Sequence, residues 1–600
     1  MIASVLKAAD AKRLGWRATP LPPIAWWALA FAVVAAKAIA TTGQGLSADL
    51  GDMDDATRLV QVREFMAGKA WFDTWTATMG GEGGMLSHWS RLIDLVLAAL
   101  IKTFALFTSV ERAEVFTRAL YPLLIVAPVM WVLFRATAKV AGETAGRIAL
   151  LLAALCPLGL YQFDAGRIDH HNVMIAATVS AAALIWAWYG DEKAWRVAGA
   201  LTGLSLVIGY EALAPAVAIA TAVAALGLFG RAPAEAVRAF TLALMAVLVA
   251  GFLISVAPSH WFDVRCDAIS LNLVFLALLA GSGLLAALSL PHLTPMQRLS
   301  IAAAPAISGL ALYAALEPKC LAGPLGQLPA GLKPIWLDQV AESRSILADL
   351  TQGKIEQSLG LVLFFLLGVV AQMRRAISKT TGADIFMAVA VASFVAFACW
   401  QYKYVAYASF IAIPPLARWI SRLDGFGEIG RGTTQFAAAL LLSQGVLLGG
   451  SKSLEKLLDT PRIVADDVRY DAEACMKSAT VSELSTLPPG LMAGRIDLGA
   501  YIVALTPHRV LSAPYHRIAD AIIINHHIFA ARDAQTAADL LRKEKIDYVV
   551  ICRGLDAPFV SGPEWSGTLR ADLVAGRAPD FLEAVPLADP ASPFSVWRMR

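Results

Sequence analysis

Three short motifs in this chain carry side chains able to hold a divalent cation or a phosphate. The first, GDMDDATRLVQVREFMAGKAWFD at 51–73, crowds Asp52, Asp54 and Asp55 just after an apolar run. Three carboxylates so close repel one another unless a cation or arginines compensate, and hard oxygen ligands of this type suit Mg²⁺ or Mn²⁺. Taken alone, they equally fit a solvated helix start, where acids favour the dipole. The second motif, FDAGRIDHHN at 163–172, sets Asp169 and His171 two positions apart with Arg167 beside them. A carboxylate and an imidazole there can ligate a metal, and a guanidinium can bind phosphate. The third, WLDQVAESRS at 336–345, places Glu342 next to Val340 and Ala341 in a forty-residue loop. Loops that long are usually functional or disordered, and the apolar flanks argue for docking.

Composition says what must position these groups. The 600-residue chain is 58% hydrophobic and 16% charged, with a mean hydropathy of +0.61. The charged share is well below the usual quarter of a soluble protein. A net charge of +3 with no basic stripe gives no case for nucleic acid. A helix needs about 20 apolar residues to cross the hydrocarbon core. About thirteen runs qualify or nearly so: 24–42, 116–134, 147–163, 172–189, 196–209, 212–229, 239–257, 271–290, 299–316, 358–373, 384–400, 404–420 and 434–449. The expected fold is therefore a polytopic α-helical membrane protein.

Basic residues orient it. Lys7, Lys12, Arg13 and Arg17 precede the first run, which is too long for a signal-peptide core. Arg135, Lys139 and Arg147, then Lys193 and Arg196, Arg231 and Arg238, Arg374, Arg375 and Lys379, and Arg418, Arg422 and Arg431 all fall on one side. By the positive-inside rule that side is cytoplasmic, as is the N-terminus. The same parity sends 43–115, 164–171, 258–270, 317–357 and 401–403 outside, so all three motifs share the outer face. Stretch 91–108 is apolar enough to span, but counting it would put the basic loops outside. It is expected to lie at the outer interface.

From about residue 451 the composition becomes charged, with β-like runs at Tyr501–Leu505 and Tyr548–Cys552 and a helical one at Ala534–Lys543. This reads as a soluble α/β domain, extracytoplasmic by parity. The division is 1–450 for the membrane part and 451–600 for the outer domain, in a plasma (inner) membrane. Cys266 and Cys320 lie in outer loops, Cys475 and Cys552 in the outer domain; these are disulfides or four free thiols. Glu211 reads as an ordinary turn acid, and SAPYHR (512–517) as surface packing.

The order of the motifs resembles that of the GT-C superfamily of membrane glycosyltransferases, and most closely the catalytic subunit of oligosaccharyltransferase. DDATRLVQVREFMAG (54–68) looks like that family's first-loop motif, which implies Asp54 as its catalytic, metal-binding aspartate. GRIDHH (166–171) is similar to the archaeal second motif and implies Asp169 and His171 as metal ligands. VAES (340–343) looks like the flexible-loop motif and implies a contribution from Glu342. WQYKYVAYASFIAIPP (400–415) resembles the span that contacts the lipid-linked phosphate, with Lys403 where an arginine is usual. The chain departs in the outer domain: GRIDLGAYIVALTPHRVL (494–511) keeps Asp497 and Gly499 of the Trp-Trp-Asp-Tyr-Gly signature but neither tryptophan. Asp497 is then expected to be structural only.

The resemblance implies a polyprenyl-linked sugar donor, membrane lipid as surroundings, and an acceptor whose identity is open. A divalent cation on Asp54, Asp169, His171 and Glu342 would stabilise the leaving phosphate. Arg167, Lys403 and His88 would add contacts to it, and Asp54 or Asp55 would orient or deprotonate the acceptor. Two other readings are a true protein oligosaccharyltransferase and, from another class, a lipid or glycolipid transporter. Transporters usually keep ionisable groups near the membrane midplane, whereas here they gather in outer loops. The orientation has a direct check: a reporter active only outside the membrane, fused after Arg600, is expected to be active. An inactive fusion at normal expression would reverse every loop.

Overall fold

The computed structural model describes residues 21–41, 46–290, 292–352, 354–426, 429–457, 471–560 and 562–600. The basic residues Lys7, Lys12, Arg13 and Arg17 lie outside them. The chain is a multi-pass helical membrane protein. Among the described residues eight helices are long and apolar enough to cross a membrane unbroken, from Pro23–Ala40 to Gly382–Trp400. A ninth is the pair Glu143–Ala154 and Pro157–Phe163, bent by 71°. The other expected runs are also helical but shorter or broken, as in His171–Ala187, Glu192–Ile208, Val405–Ile420 and the pair Arg431–Leu441 and Gln444–Leu457. The last of these runs straight through position 450.

Val405–Ile420 is buried over nearly its whole length, although it carries Pro414 and Pro415. A helix apolar all round belongs inside the bundle rather than against lipid. It packs on the helices Glu143–Ala154, Ile355–Lys379, Gly382–Trp400 and His171–Ala187. This sets the ends of the central helices, and so the second motif and Lys403, on one floor.

The stretch 91–108 forms the helix Arg91–Ala105, kept out of the spans as expected, with Ile93, Leu97 and Ile101 buried and Leu95 and Val96 exposed. Its Asp94 is fully buried and accepts from Arg58 Nη1 at 2.8 Å and Arg91 Nη1 at 3.0 Å. Arg58 also lies over the Trp89 ring at 4.6 Å. Arg58 thereby fastens the helix that carries the first motif to the helix Arg91–Ala105.

The C-terminal region holds a five-stranded sheet in the order Arg509–Val510, Leu491–Ala493, Tyr548–Cys552, Phe594–Met599, Leu582–Val585. The first three strands run parallel, and the last two join antiparallel. Tyr548–Cys552 is buried at every position, as a central strand must be. Tyr501–Leu505, expected as a strand, belongs instead to the helix Ile496–Leu505. Its residues from Leu498 to Ala504 are all buried, which erases the periodicity that separates the two structures. Both cysteine pairs are disulfides, Cys266–Cys320 and Cys475–Cys552, while Cys156 and Cys399 are free.

The outer domain is stitched to the first outer loop. Val510 donates to the Thr78 carbonyl at 2.9 Å and Gly80 to that of Val510 at 3.1 Å, so the loop extends the sheet edge. The helix Ile496–Leu505 packs on the first-motif helix, and Arg63 holds both Glu114 (2.7 Å) and the Ala504 carbonyl (2.5 Å). Removing one partner of a buried ion pair costs about 3–5 kcal/mol. Asp94→Asn, which strands Arg58 and Arg91, is accordingly expected to lower the unfolding temperature markedly. Leu95→Ala on the exposed face of the same helix should change stability by no more than about 0.5 kcal/mol. Thermal unfolding of the two variants in detergent checks both.

Candidate active site

The first motif opens the helix Met53–Met66, and its three acids divide the work. Asp52 is the N-cap: its Oδ1 accepts from the backbone of Asp54 and Asp55, each at 3.0 Å. Asp55 closes the capping box by accepting from the Asp52 backbone at 3.1 Å. Its other oxygen accepts from the backbone of Ile168 at 2.7 Å and Asp169 at 3.0 Å. Asp52 and Asp54 both line the cavity, but Asp52 is taken up by the cap and by Arg167, which leaves Asp54 for a ligand.

These contacts revise two assignments. Asp55, expected to orient or deprotonate the acceptor, is fully buried and does not reach the cavity. Arg167, expected on the phosphate, is turned inward: it pairs with Asp52, with Asp55 at 2.9 Å and with Gln162 at 2.6 Å. A buried guanidinium paired with the fully buried Asp55 and the part-buried Asp52 stays with them, since parting would leave a buried charge uncompensated. The pair clamps the second motif onto the first.

The second motif turns at Gly166, whose φ of +108° suits glycine, and its backbone donates to the Arg118 carbonyl at 2.9 Å. The turn presents Asp169, His170 and His171, whose ligating atoms all lie within 4.8 Å of one another. Asp169 pairs with both imidazoles. The buried His171 Nε2 has no hydrogen-bond partner. His170 Nε2 lies 3.3 Å from Glu211 Oε2. Burial works against charge on His170, but Asp169 and Glu211 outweigh it and raise its pKa to about 9.

One cavity of about 810 Å³ joins these groups. It is lined by Asp54, His171, Glu342, Lys403 and His88, five of the expected residues, and by Glu211. Asp169 sits just beneath its wall, 1% exposed. The tight group contains Asp169, His170 and His171; Asp54 and Glu342 line the same cavity outside that group. Burial, then Asp169 and Asp52, push the Asp54 carboxyl up to about 8. Burial, helped by the nearby His516 and Arg517 and opposed by Asp267 and Glu211, carries the His88 imidazole down to about 3. Burial also lowers Lys403, with Glu211 and Glu342 pulling the other way. The long loop is docked, since Arg344 O accepts from the Tyr402 backbone at 3.0 Å and Ser345 Oγ donates to Cys399 O at 2.7 Å. Glu342 and Lys403 are thereby brought to the same wall.

Sequence reasoning set aside four contributors. Glu211, read as a turn acid, is His170's partner. His516 and Tyr515 of SAPYHR, read as surface packing, line the cavity, and Tyr515 donates to the Met53 carbonyl at 2.8 Å. Asp497, read as structural, lines it too, paired with Arg495 at 2.8 Å. The one available signal was location: each falls on the outer side by the parity of the basic loops.

Gly51 is held by the same clamp. A methyl there would lie 2.3 Å from Asp55 Oδ2 and 3.2 Å from Arg167 Cδ. Gly51→Ala is expected to break the capping box and destabilise the fold by about 1–3 kcal/mol, measured as a drop in unfolding temperature. Gly430→Ala, with nothing near its added carbon, serves as the control.

No protein-family model matches this chain, and no curated protein matches its sequence. Solved structures do. The apo oligosaccharyltransferase of Archaeoglobus fulgidus aligns with a TM-score of 0.67 at 13% identity, over 94% of this chain and 73% of that one. The same enzyme, AglB, in complex with an inhibitory peptide and a dolichol-phosphate, gives 0.64 at 13%, over 96% and 74%. Its complex with Zn and sulfate gives 0.58 at 15%, over 88% and 68%. At these identities the likeness is one of fold: the chain has the fold of the archaeal oligosaccharyltransferase over nearly its whole length.

Proposed function

We propose that this protein transfers a sugar or glycan from a polyprenyl-phosphate or -diphosphate carrier to an acceptor on the outer face of the membrane. One observation carries the reading: Asp54, His171, Glu342 and Lys403 arrive from four separate chain segments at one cavity, in this fold. The solved relative's complexes with a dolichol-phosphate, and with Zn and sulfate, support a lipid-phosphate donor and a metal. The orientation that goes with it has the N-terminus cytoplasmic in a plasma (inner) membrane. Residues 451–600 then form the extracytoplasmic domain on a membrane part of 1–450.

The side chains present fit a divalent cation. His171 Nε2 is buried without a partner, and Asp54 is a carboxyl pressed against Asp169 and Asp52. Asp54, Asp169, His171 and Glu342 would hold it, and the oxygen-rich set favours Mg²⁺ or Mn²⁺. Bound there, the ion would supply positive charge for the departing phosphate. The remaining work belongs to the chain. Lys403 meets the phosphate oxygens from the cavity wall, with His88 lining the same cavity. Asp54 accepts a hydrogen bond from the acceptor nucleophile and aims it at the anomeric carbon. As the new bond forms, the carbon–oxygen bond to phosphate breaks with its electron pair on phosphate. Asp55, Asp52 and Arg167 hold the two motifs in register.

A protein oligosaccharyltransferase is the alternative, favoured by the solved relative's complex with an acceptor peptide containing the NVT sequon. The absence of both signature tryptophans around Asp497 counts against it. A lipid transporter is a weaker fit, because the ionisable residues sit at one end of the helices.

Asp54→Asn keeps the side chain's shape and removes its charge. Transfer by purified protein should fall about a hundredfold or more with the unfolding temperature preserved. Asp55→Asn should instead lower stability, because Asp55 accepts three hydrogen bonds that join the motifs and a fourth that closes the helix cap. Mass spectrometry of envelope glycolipids and glycoproteins from a deletion strain tests the class as a whole; an unchanged profile would sink it.

A further inference from the structure

The wall of the cavity formed by His88, Asp267 and His516 is a second set of metal-type donors, distinct from the Asp169 group. We propose that these three residues form a zinc site whose remaining coordination position opens into the cavity. The inference does not rest on glycosyl transfer.

Three remote parts of the chain build it. His88 comes from the first outer loop, Asp267 from the loop before the span Leu271–Ser289, and His516 from the outer domain. Their ligating atoms all lie within 4.8 Å of one another. The two imidazole rings are 4.8 Å apart between centroids. His516 Nε2 lies 2.5 Å from Asp267 Oδ2. All three residues line the cavity, so the group is open on one side.

The surroundings match a catalytic-type zinc site, which has three protein ligands and one position for an exchangeable oxygen. Ligating carboxylates are themselves held by hydrogen bonds from outside the site. Asp267 meets that condition through Arg517, whose Nε and Nη2 donate to its two oxygens at 2.7 Å each. Trp336 lies 6.1 Å from the His516 ring and Trp89 5.9 Å from the His88 ring, giving aromatic walls.

Selectivity follows from charge and donor type. The Asp54, Asp169, Glu342 and His171 set offers three carboxylates, which suits a hard ion. Here one carboxylate is already offset by Arg517, so an ion held mainly by charge gains little. Two imidazole nitrogens favour Zn²⁺ over Mg²⁺. The open position would take an anionic or hydroxyl oxygen from whatever occupies the cavity.

The test uses the full chain purified in detergent, loaded with Zn²⁺ and dialysed against Mg²⁺, with metal counted by mass spectrometry and Co²⁺ substituted as a visible probe. Wild type and Asp169→Asn are expected to retain one tightly held Zn²⁺, and Co²⁺ to give the absorption of a four-coordinate site. His516→Gln and Asp267→Asn should lose that ion. His88→Gln leaves the Asp267 ion pairs intact, so it keeps the experiment decisive if those two fold poorly; it should also lose it. Arg517→Gln should weaken binding by about 10–100-fold. The proposal is overturned if wild type retains no Zn²⁺, if Asp169→Asn abolishes it, or if folded His88→Gln keeps it at wild-type affinity.

Discussion

The structure depends on one carboxylate. Asp55 closes the cap of the first-motif helix, pairs with Arg167 and accepts from two backbone amides of the second motif. A buried charge must be paired and hydrogen-bonded or it unfolds what holds it. That requirement locks the two motifs together although 112 positions separate Asp55 from Arg167. Asp54 and Asp169, the residues next to the clamp on each side, are consequently fixed relative to one another. Their mutual repulsion is what makes the cavity receptive to a cation.

Around that clamp the chain spends its charges in two ways. Arginines at Arg58, Arg91 and Arg167 are turned inward to hold elements together. The groups left on the cavity wall are Asp54, Glu211, Glu342, Lys403 and the histidines. The wall is also composite. Membrane loops supply the acids, while the outer domain supplies Asp497, Tyr515 and His516. Because the first outer loop extends the outer domain's sheet edge, the two parts meet as a built surface.

The membrane architecture was legible in the sequence because hydropathy and basic-loop parity are local properties. Within the described residues the expected runs are helical or bent helical pairs, and 91–108 forms a helix of 15 residues, short for a span. Tyr548–Cys552 and Ala534–Lys543 were also read with their observed bounds. Tyr501–Leu505 was not, since a short segment buried on all sides has no polar face to show its period.

At the site, the sequence by itself pointed to the segments: Asp169 and His171 by residue type and spacing, with Asp54 singled out among three acids, and Glu342, only by the resemblance. Tertiary structure decided what each neighbour does. Asp55 and Arg167 look as reactive in sequence as Asp54, and only their mutual pairing removes them from the cavity. Glu211, Asp267 and His516 look ordinary in sequence because their partners lie far along the chain; His516 and Asp267 are 249 positions apart. Whether a charged side chain serves as a ligand or a clasp is set by what it faces after folding, because burial decides which charges must be neutralised by protein and which remain free for substrate.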